Sequence, residues 1–547
     1  MVDYETARRT FRLDVPGRYN WTSAVLDRWA RQEDKLAMLW VGPQGEERRL
    51  TFDHFARASN RFANVLRGLG VQPGQSLFVM LPRVVEWWEV ILGSMRAGVV
   101  WAPGTTLLTP RDLEYRLNAA EVRVVVTDAA GAEKIDEIRE ACPAVRHLLC
   151  VDEGSRPGWI RYGEAMERAA GDPSTQPTHS DDAAMLFFTS GTTGYPKMVL
   201  HTHASYPIAH TITGRFWLDN GPSDLHWTIS DTGWAQAAWT CLFAPWNMGA
   251  AVFIHDGRGP FDPGRTLEML ERYPITTFFA PPTAYRILVQ EDLASCRFKA
   301  LRHTLAAGEP LNPEVMTAWS GHTGLRIHDG YGLTETVLVT GMFRALPFRP
   351  GSMGRVAPGY DVSVVDEAGE ELPIGEEGVL GIRIRPHSPV GLFQEYWKNP
   401  DATARSRAGD FYLTGDRVRM DDEGYLWFVG RDDDVIISAG YRIGPFEVES
   451  ALVEHPAVVE AAAVGSPHPT RGQVVKAFVT LAEGWEPSQK LARELQQHVA
   501  GVTAPYKYPR EVQFVADLPK TISGKIKRAD LRQMEADGRR NDRREPR

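Results

Sequence analysis

Over its first 430 residues or so, the chain alternates short apolar segments with longer amphipathic ones. Residues 76–82 (SLFVMLP), 99–104 (VVWAPG) and 122–128 (VRVVVTD) are apolar on both faces, as strands are only when both sides are covered. Between them lie helical patterns. Residues 51–70 place Phe55, Phe62, Leu66 and Leu69 at helical spacing behind a Thr51 cap and end in Gly70. Residues 84–98 (VVEWWEVILGSMRAG) form a second helix, and residues 108–121 open with Thr109-Pro110, a cap followed by a first-turn proline. Buried strands alternating with helices predict parallel sheets covered by helices. No short-period repeat is present. Residues 154–180, rich in Pro, Gly and Ser, read as a connector.

The pattern changes after Gly430. Residues 431–442 (RDDDVIISAGYR) pass from charged to apolar, followed by a helix (445–455), two strands (458–465 and 474–481), a helix (488–501), a strand (511–519) and a helix beyond Lys525. The fold class is therefore α/β. A large N-terminal domain of helix-covered, mainly parallel sheets (1–430) precedes a small α+β C-terminal domain (431–547). The polar end, residues 537–547, reads as a frayed tail.

Composition narrows the partners. With 43% apolar and 24% charged residues, the 547-residue chain is not globally disordered and can bury a large core unaided. Its formal charge of −9 argues against coating nucleic acid or an anionic membrane. No run of about 18 apolar residues predicts a transmembrane helix, and the first residues lack a signal-peptide core. Cys142, Cys150, Cys241 and Cys296 lie far apart, as reduced thiols do, so a cytoplasmic setting is expected. The sequence carries no signal for or against an oligomer.

Residues 189–197 read TSGTTGYPK. Glycines let backbone N–H groups converge, hydroxyls add donors and the lysine adds charge, which together make a phosphate cradle. A flexible Gly/Ser/Thr hairpin turn is the competing reading. The string is not a Walker A loop, because Pro196 precedes Lys197 and no Ser or Thr follows it. Apolar segments flank it on both sides, so it joins two strands.

This string resembles the phosphate loop of the adenylate-forming superfamily: acyl-CoA synthetases, luciferases and peptide-synthetase adenylation domains. Five more segments match that family in order. They are Gly308-Glu309-Pro310; residues 331–336 (YGLTET); Thr414-Gly415-Asp416; residues 430–434 (GRDDD) with Gly440-Tyr441-Arg442; and Pro519-Lys520-Thr521 with Gly524-Lys525-Ile526. SDTGW, AAGEPLNPEVM and PGSMGRVAPGYDV bring the chain nearest the medium-chain acyl-CoA synthetases.

The resemblance implies activation of a carboxylic acid by ATP and Mg²⁺ through an acyl-adenylate, then thioester formation with CoA. It assigns Thr189, Ser190, Gly191, Thr192, Thr193, Gly194 and Lys197 to the ATP phosphates. Gly308, Glu309, Pro310, Asp329, Gly330, Tyr331 and Gly332 go to the adenine side, Asp416 to the ribose and Arg431 to the nucleotide. Thr334 meets the α-phosphate, and Glu335 holds the metal. Lys525 is the catalytic cation for adenylation. A lone lysine near a C-terminus is ordinarily a solvated charge, and only its PKTISGKI setting reverses that. Asp433 matches the hinge about which the small domain rotates between the two steps. Ser438, Ala439, Gly440, Arg442, Arg471 and Lys507 match the CoA-binding set, with ordinary surface charge as the alternative for Arg471 and Lys507. Leu107 stands where the mammalian medium-chain enzymes carry a CoA-contacting glutamine.

For the acyl pocket the resemblance points to Trp234, Gly332 and Leu333. Acetate-specific relatives place a tryptophan at the Gly332 position, so glycine implies room for longer acids, medium-chain or branched. Trp239 and Trp246 either shorten the pocket or are buried structural aromatics. Rival readings are an aryl-acid (benzoate-type) CoA ligase, a loader of a carrier protein in trans, a light-emitting oxygenase and a catalytically dead binding protein. The presence of Lys525, Glu335 and Asp416 disfavours the last. No carrier-like segment follows Lys525, which disfavours loading in cis.

Overall fold

The computed structural model describes residues 3–189, 196–431, 434–438, 441–468, 471–504, 507–521 and 525–542. Ser190, Gly191, Thr192, Thr193, Gly194, Asp433, Ala439, Gly440 and the side chain of Arg442 lie outside the described residues.

Three sheets build the large lobe. A nine-stranded sheet runs parallel from Ile327–Gly332 through His303–Ala307, Thr277–Phe279, Leu225–Thr228 and Ala251–His255 to Leu36–Val41, with antiparallel strands at both edges. An eight-stranded sheet is parallel from Ala183–Thr189 outward, through the predicted strands Val100–Pro103, Ser76–Met80 and Val122–Thr127. The expected helices cover it. Thr51 Oγ1 caps Phe52–Gly68 by accepting the His54 N–H at 3.1 Å, and Thr109 and Asp112 close a capping box on Pro110–Ala119. Helix Val85–Ala97 is buried on nearly every face, Trp87 and Trp88 included.

The third sheet was not foreseen. Its five strands, Val362–Val365, Glu377–Arg383, Phe411–Met420, Arg407–Ala408 and Leu426–Arg431, are all antiparallel. They mix polar with apolar positions, so the large lobe is not uniformly a parallel structure. Residues 154–180 are also more than a connector. They contain strand Ile160–Arg161 and helix Tyr162–Arg168, anchored where the buried Tyr162 hydroxyl donates to Glu89 Oε2 at 2.8 Å. The polar end is helical as far as it is described, because Arg528–Asp542 forms one helix.

The small lobe has a five-stranded sheet, Tyr441–Ile443, Ile436–Ser438, Gly472–Leu481, Val458–His468 and Glu511–Phe514. Helices Pro445–Val453 and Gln489–Val502 bury Val448, Leu452, Leu491, Leu495 and Val499 on one face. Leu531 of the last helix packs with Phe478 and Val464 on the other. The lobes meet closely at Gly444, where a Cβ would stand 2.0 Å from the Val429 carbonyl oxygen, so only glycine fits. Among the described residues no helix is long and apolar enough to cross a membrane.

Candidate active site

Strands His303–Ala307 and Ile327–Gly332 lie side by side and parallel, with Ala307 opposite Gly330. Their carboxyl ends lead into the segments at 308–310 and 331–336. Open α/β sheets bind ligands outside the carboxyl ends of their strands. Asp329 is buried on this strand, its Oδ1 accepting the Gly330 N–H at 2.9 Å, and burial holds its carboxyl well above the usual range. Glu309 turns to Thr283, whose hydroxyl donates at 3.1 Å, and to Arg286 at 3.5 Å.

The Tyr331 hydroxyl donates to Asp416 Oδ2 at 2.5 Å, and Arg431 Nη1 donates to Asp416 Oδ1 at 3.1 Å. Asp416 is a strand residue. It sits within strand Phe411–Met420, directly opposite Arg431 on Leu426–Arg431. Burial raises its carboxyl pKa, while Arg431, Tyr331 and the charge of Lys525 pull it back. The charge of Lys525, carried by the small lobe, is thus near enough to act on Asp416.

The predicted hairpin is present: Ala183–Thr189 and Lys197–Thr202 are antiparallel, with Thr189 opposite Lys197. Lys197 Nζ lies 4.8 Å from the centre of the Tyr396 ring. The Tyr396 hydroxyl donates to Glu335 Oε1 at 2.8 Å. Burial raises the Glu335 carboxyl, opposed by Tyr396, Lys197 and Arg431. His201, on the same hairpin, is buried and held at a pKa of about 4, hence neutral. Its Nε2 donates to the Thr334 carbonyl at 2.8 Å, and its Nδ1 accepts from Ser205 at 3.0 Å.

All three sheets and the small lobe thus converge. The hairpin belongs to the eight-stranded sheet, Tyr331 to the nine-stranded sheet, Asp416 and Arg431 to the antiparallel sheet, and Lys525 to the small lobe. Sequence reasoning missed Tyr396 and His201. Neither lies in a matched motif, and only the pairing of Glu395–Tyr396 with Lys197–Thr202 brings Tyr396 here.

The residues expected to line the acyl pocket are arranged differently from the simplest expectation. A Cβ on Gly332 would stand 2.4 Å from the Trp239 ring and 2.4 Å from the Val337 carbonyl oxygen. The space that glycine opens is already filled by Trp239, which is 6% exposed. Trp246 is a structural aromatic, stacked on Trp21 and donating to the Ala37 carbonyl at 3.1 Å. Trp234 is half-buried at the head of helix Ala235–Ala238. Asp231 fixes that turn by accepting from the Gly233 N–H at 2.7 Å and from Thr105 at 3.1 Å. Leu333 is half-buried and donates its N–H to Thr336 Oγ1 at 2.9 Å.

On the small lobe, buried Ser438 pairs with Gly472, which brings Arg471 beside it. Lys507 bonds to Glu447. Leu107 is 60% exposed.

The family described as AMP-binding enzyme matches residues 26–397, and the AMP-binding enzyme C-terminal domain matches residues 447–525. The chain belongs to the AMP-binding enzymes. This AMP-binding enzyme is 46% identical over 542 residues to acyl-coenzyme A synthetase ACSM3, mitochondrial, of Homo sapiens, covering 97% of this chain and 92% of that protein. It is 49% identical over 530 residues to acyl-coenzyme A synthetase ACSM5, mitochondrial, of Rattus norvegicus, covering 95% and 91%. The anthranilate CoA ligase AuaEII in complex with anthranoyl-AMP superposes with a TM-score of 0.87 at 30% identity, covering 95% of this chain and 98% of that one. MatB from Rhodopseudomonas palustris is 27% identical. It superposes at 0.83 with ATP bound (93% and 98% covered) and at 0.75 as the apo form (93% and 99% covered).

Proposed function

We infer that the protein is an ATP-dependent acyl-CoA synthetase that converts a carboxylic acid, ATP and CoA to acyl-CoA, AMP and pyrophosphate. The observation that carries this reading is the convergence of Tyr331, Asp416, Arg431 and Lys525 at one seam, in a chain nearly half identical to acyl-coenzyme A synthetases. In the first step a substrate carboxylate oxygen attacks the α-phosphorus and the bond to pyrophosphate breaks. In the second the CoA sulfur attacks the acyl carbon and AMP leaves.

The first transition state spreads negative charge over the phosphate, so positioning and electrostatics dominate. Lys525 supplies the cation at that point. Thr189, Lys197 and the intervening loop hold the outer phosphates, with Thr334 at the α-phosphate. Asp416 accepts the ribose hydroxyls. Arg431, bound to Asp416 here, steadies that carboxylate and reaches the nucleotide from it. Gly308, Glu309, Pro310, Asp329, Gly330 and Tyr331 line the adenine side.

Glu335 fits a magnesium ion. Its second carboxylate oxygen is left by Tyr396, and no cluster of three or more His, Cys, Asp or Glu side chains able to hold a metal occurs among the described residues. A single carboxylate beside substrate phosphates suits an ion that keeps several waters. When bound, that ion neutralises phosphate charge.

The second step uses the small lobe, residues 431–547, turned about Asp433. Ser438, Arg471 and Lys507, with Ala439, Gly440 and Arg442, face CoA. These cations favour free CoA, whose nucleotide phosphates need them, over a carrier protein in trans. The substrate class is medium-chain or branched fatty acids. An aryl acid is the second reading, supported by the likeness to the anthranilate CoA ligase and by the aromatic wall of Trp239. Four free thiols support a reducing, cytoplasmic setting. A panel of butyrate, octanoate, isobutyrate and benzoate, with pyrophosphate and thioester read in parallel, tests the assignment. Adenylate formation without thioester would remove the second step.

A further inference from the structure

Asn312 is 3% exposed and occupies the N-cap of helix Pro313–Thr323, yet its side chain makes no capping bond. An asparagine there ordinarily accepts a first-turn N–H. Instead, Arg286 Nε donates to Asn312 Oδ1 at 3.4 Å, and Asn312 Nδ2 donates to Ser450 Oγ at 3.0 Å. A guanidinium can only donate, so the amide oxygen faces Arg286 and the amide nitrogen faces the small lobe. Ser450 lies on helix Pro445–Val453 of that lobe. The same Arg286 reaches Glu309 in the adenine segment through Nη1 at 3.5 Å. An unbroken polar chain therefore runs from the nucleotide segment to the docked lobe.

The same seam carries an opposing interaction. Glu314 Oε2 is buried with no hydrogen-bond partner among the described residues. The charge of Glu454, on the small lobe, adds to burial in raising the Glu314 carboxyl.

Resting on the two-step reading above, we propose that Asn312 is a positioning residue. Through Ser450 it holds the small lobe against the large one, and Arg286 makes that docking responsive to the occupied adenine segment.

The test uses the full chain with Ser450→Ala and Ser450→Thr. One lost hydrogen bond should lower octanoate-dependent ATP–pyrophosphate exchange about threefold to tenfold in Ser450→Ala. Thioester formation from supplied octanoyl-AMP and CoA should stay equal or rise, and Ser450→Thr should restore exchange. Equal loss in both half-reactions, or no change in either, overturns the proposal. A second measurement needs no turnover: energy transfer between dyes on cysteines introduced at exposed His322 and Lys490, with and without ATP. The docked fraction should fall in Ser450→Ala and recover in Ser450→Thr, and an unchanged fraction also overturns it. A wild type that docks but makes no octanoyl-CoA refutes the activity and leaves the latch standing.

Discussion

Tyr331 and Asp416, 85 positions apart, share a 2.5 Å hydrogen bond that joins the nine-stranded sheet to the antiparallel sheet. The carboxylate they enclose is buried, and its folded-state pKa is raised above the ordinary value. The folded chain therefore holds a proton that the unfolded chain releases. Stability is lost as pH climbs from the ordinary carboxylate value through the raised one. Asp416→Asn removes that loss, since its Oδ1 can still accept from Arg431 and its Nδ2 can donate to Tyr331. The ligand-free variant should melt about 1–3 °C higher than wild type at pH 8 and show no gain at pH 4, while ATP binds at least about tenfold more weakly. Melting curves from pH 4 to 8 check this, and parallel curves for the two proteins would remove Asp416 as a titrating group.

The proposed function gives Lys525 a role in one half-reaction only. Lys525→Ala should lower carboxylate-dependent pyrophosphate release about 10²–10³-fold, the cost of removing one preorganised charge stabiliser. Thioester formation from supplied acyl-AMP should remain within about twofold of wild type. Equal losses in both assays would show that the lysine is not step-specific.

Trp239 fills the space beside Gly332, so on the proposed function it is Trp239 that limits acyl length. Trp239→Ala should move the optimum of a linear acid series toward longer chains. Each added methylene that finds apolar contact contributes about 0.8 kcal/mol, roughly a fourfold gain in kcat/KM. Gly332→Trp has no room beside the Val337 carbonyl, so it should lose folded, active protein instead of switching cleanly to acetate. Chain-length profiles of purified variants decide, and a Trp239→Ala profile that matches wild type contradicts this.

Tyr396 orients Glu335 through its hydroxyl. Tyr396→Phe should raise the Mg²⁺ concentration needed for half-maximal activity about tenfold to a hundredfold, with the rate largely regained at saturating Mg²⁺. A Mg²⁺ titration of both proteins reads this directly. An unchanged midpoint would mean that Tyr396 serves packing alone.

Much of the fold was legible because its signals are local. Thr51 and Thr109 cap helices as their neighbours predict, and the 76–82 and 122–128 segments are parallel strands because they are apolar on both faces. The antiparallel sheet was not legible. Phe411–Met420 carries Thr414, Asp416, Arg417 and Arg419 among its apolar residues, and such mixing fits a turn or an edge as well as a strand. The seam was legible at Tyr331 and Asp416, which stand in contiguous motifs and are joined by a hydrogen bond. It was not legible at Tyr396 or His201, which act through contacts with residues 61 and 133 positions away.

By itself the sequence determined the element types, the two-lobed order, the family and the residue kinds offered to ATP, because hydropathy periods and contiguous motifs are written along the chain. Only the tertiary structure decided that Trp239 fills the space Gly332 leaves, that Arg431 is committed to Asp416, and that Asn312 bonds the small lobe instead of its own helix. Those outcomes depend on which sheets pack together and at what distance. Side chains far apart in sequence compete there for one volume or one hydrogen bond, and that competition has no local signature.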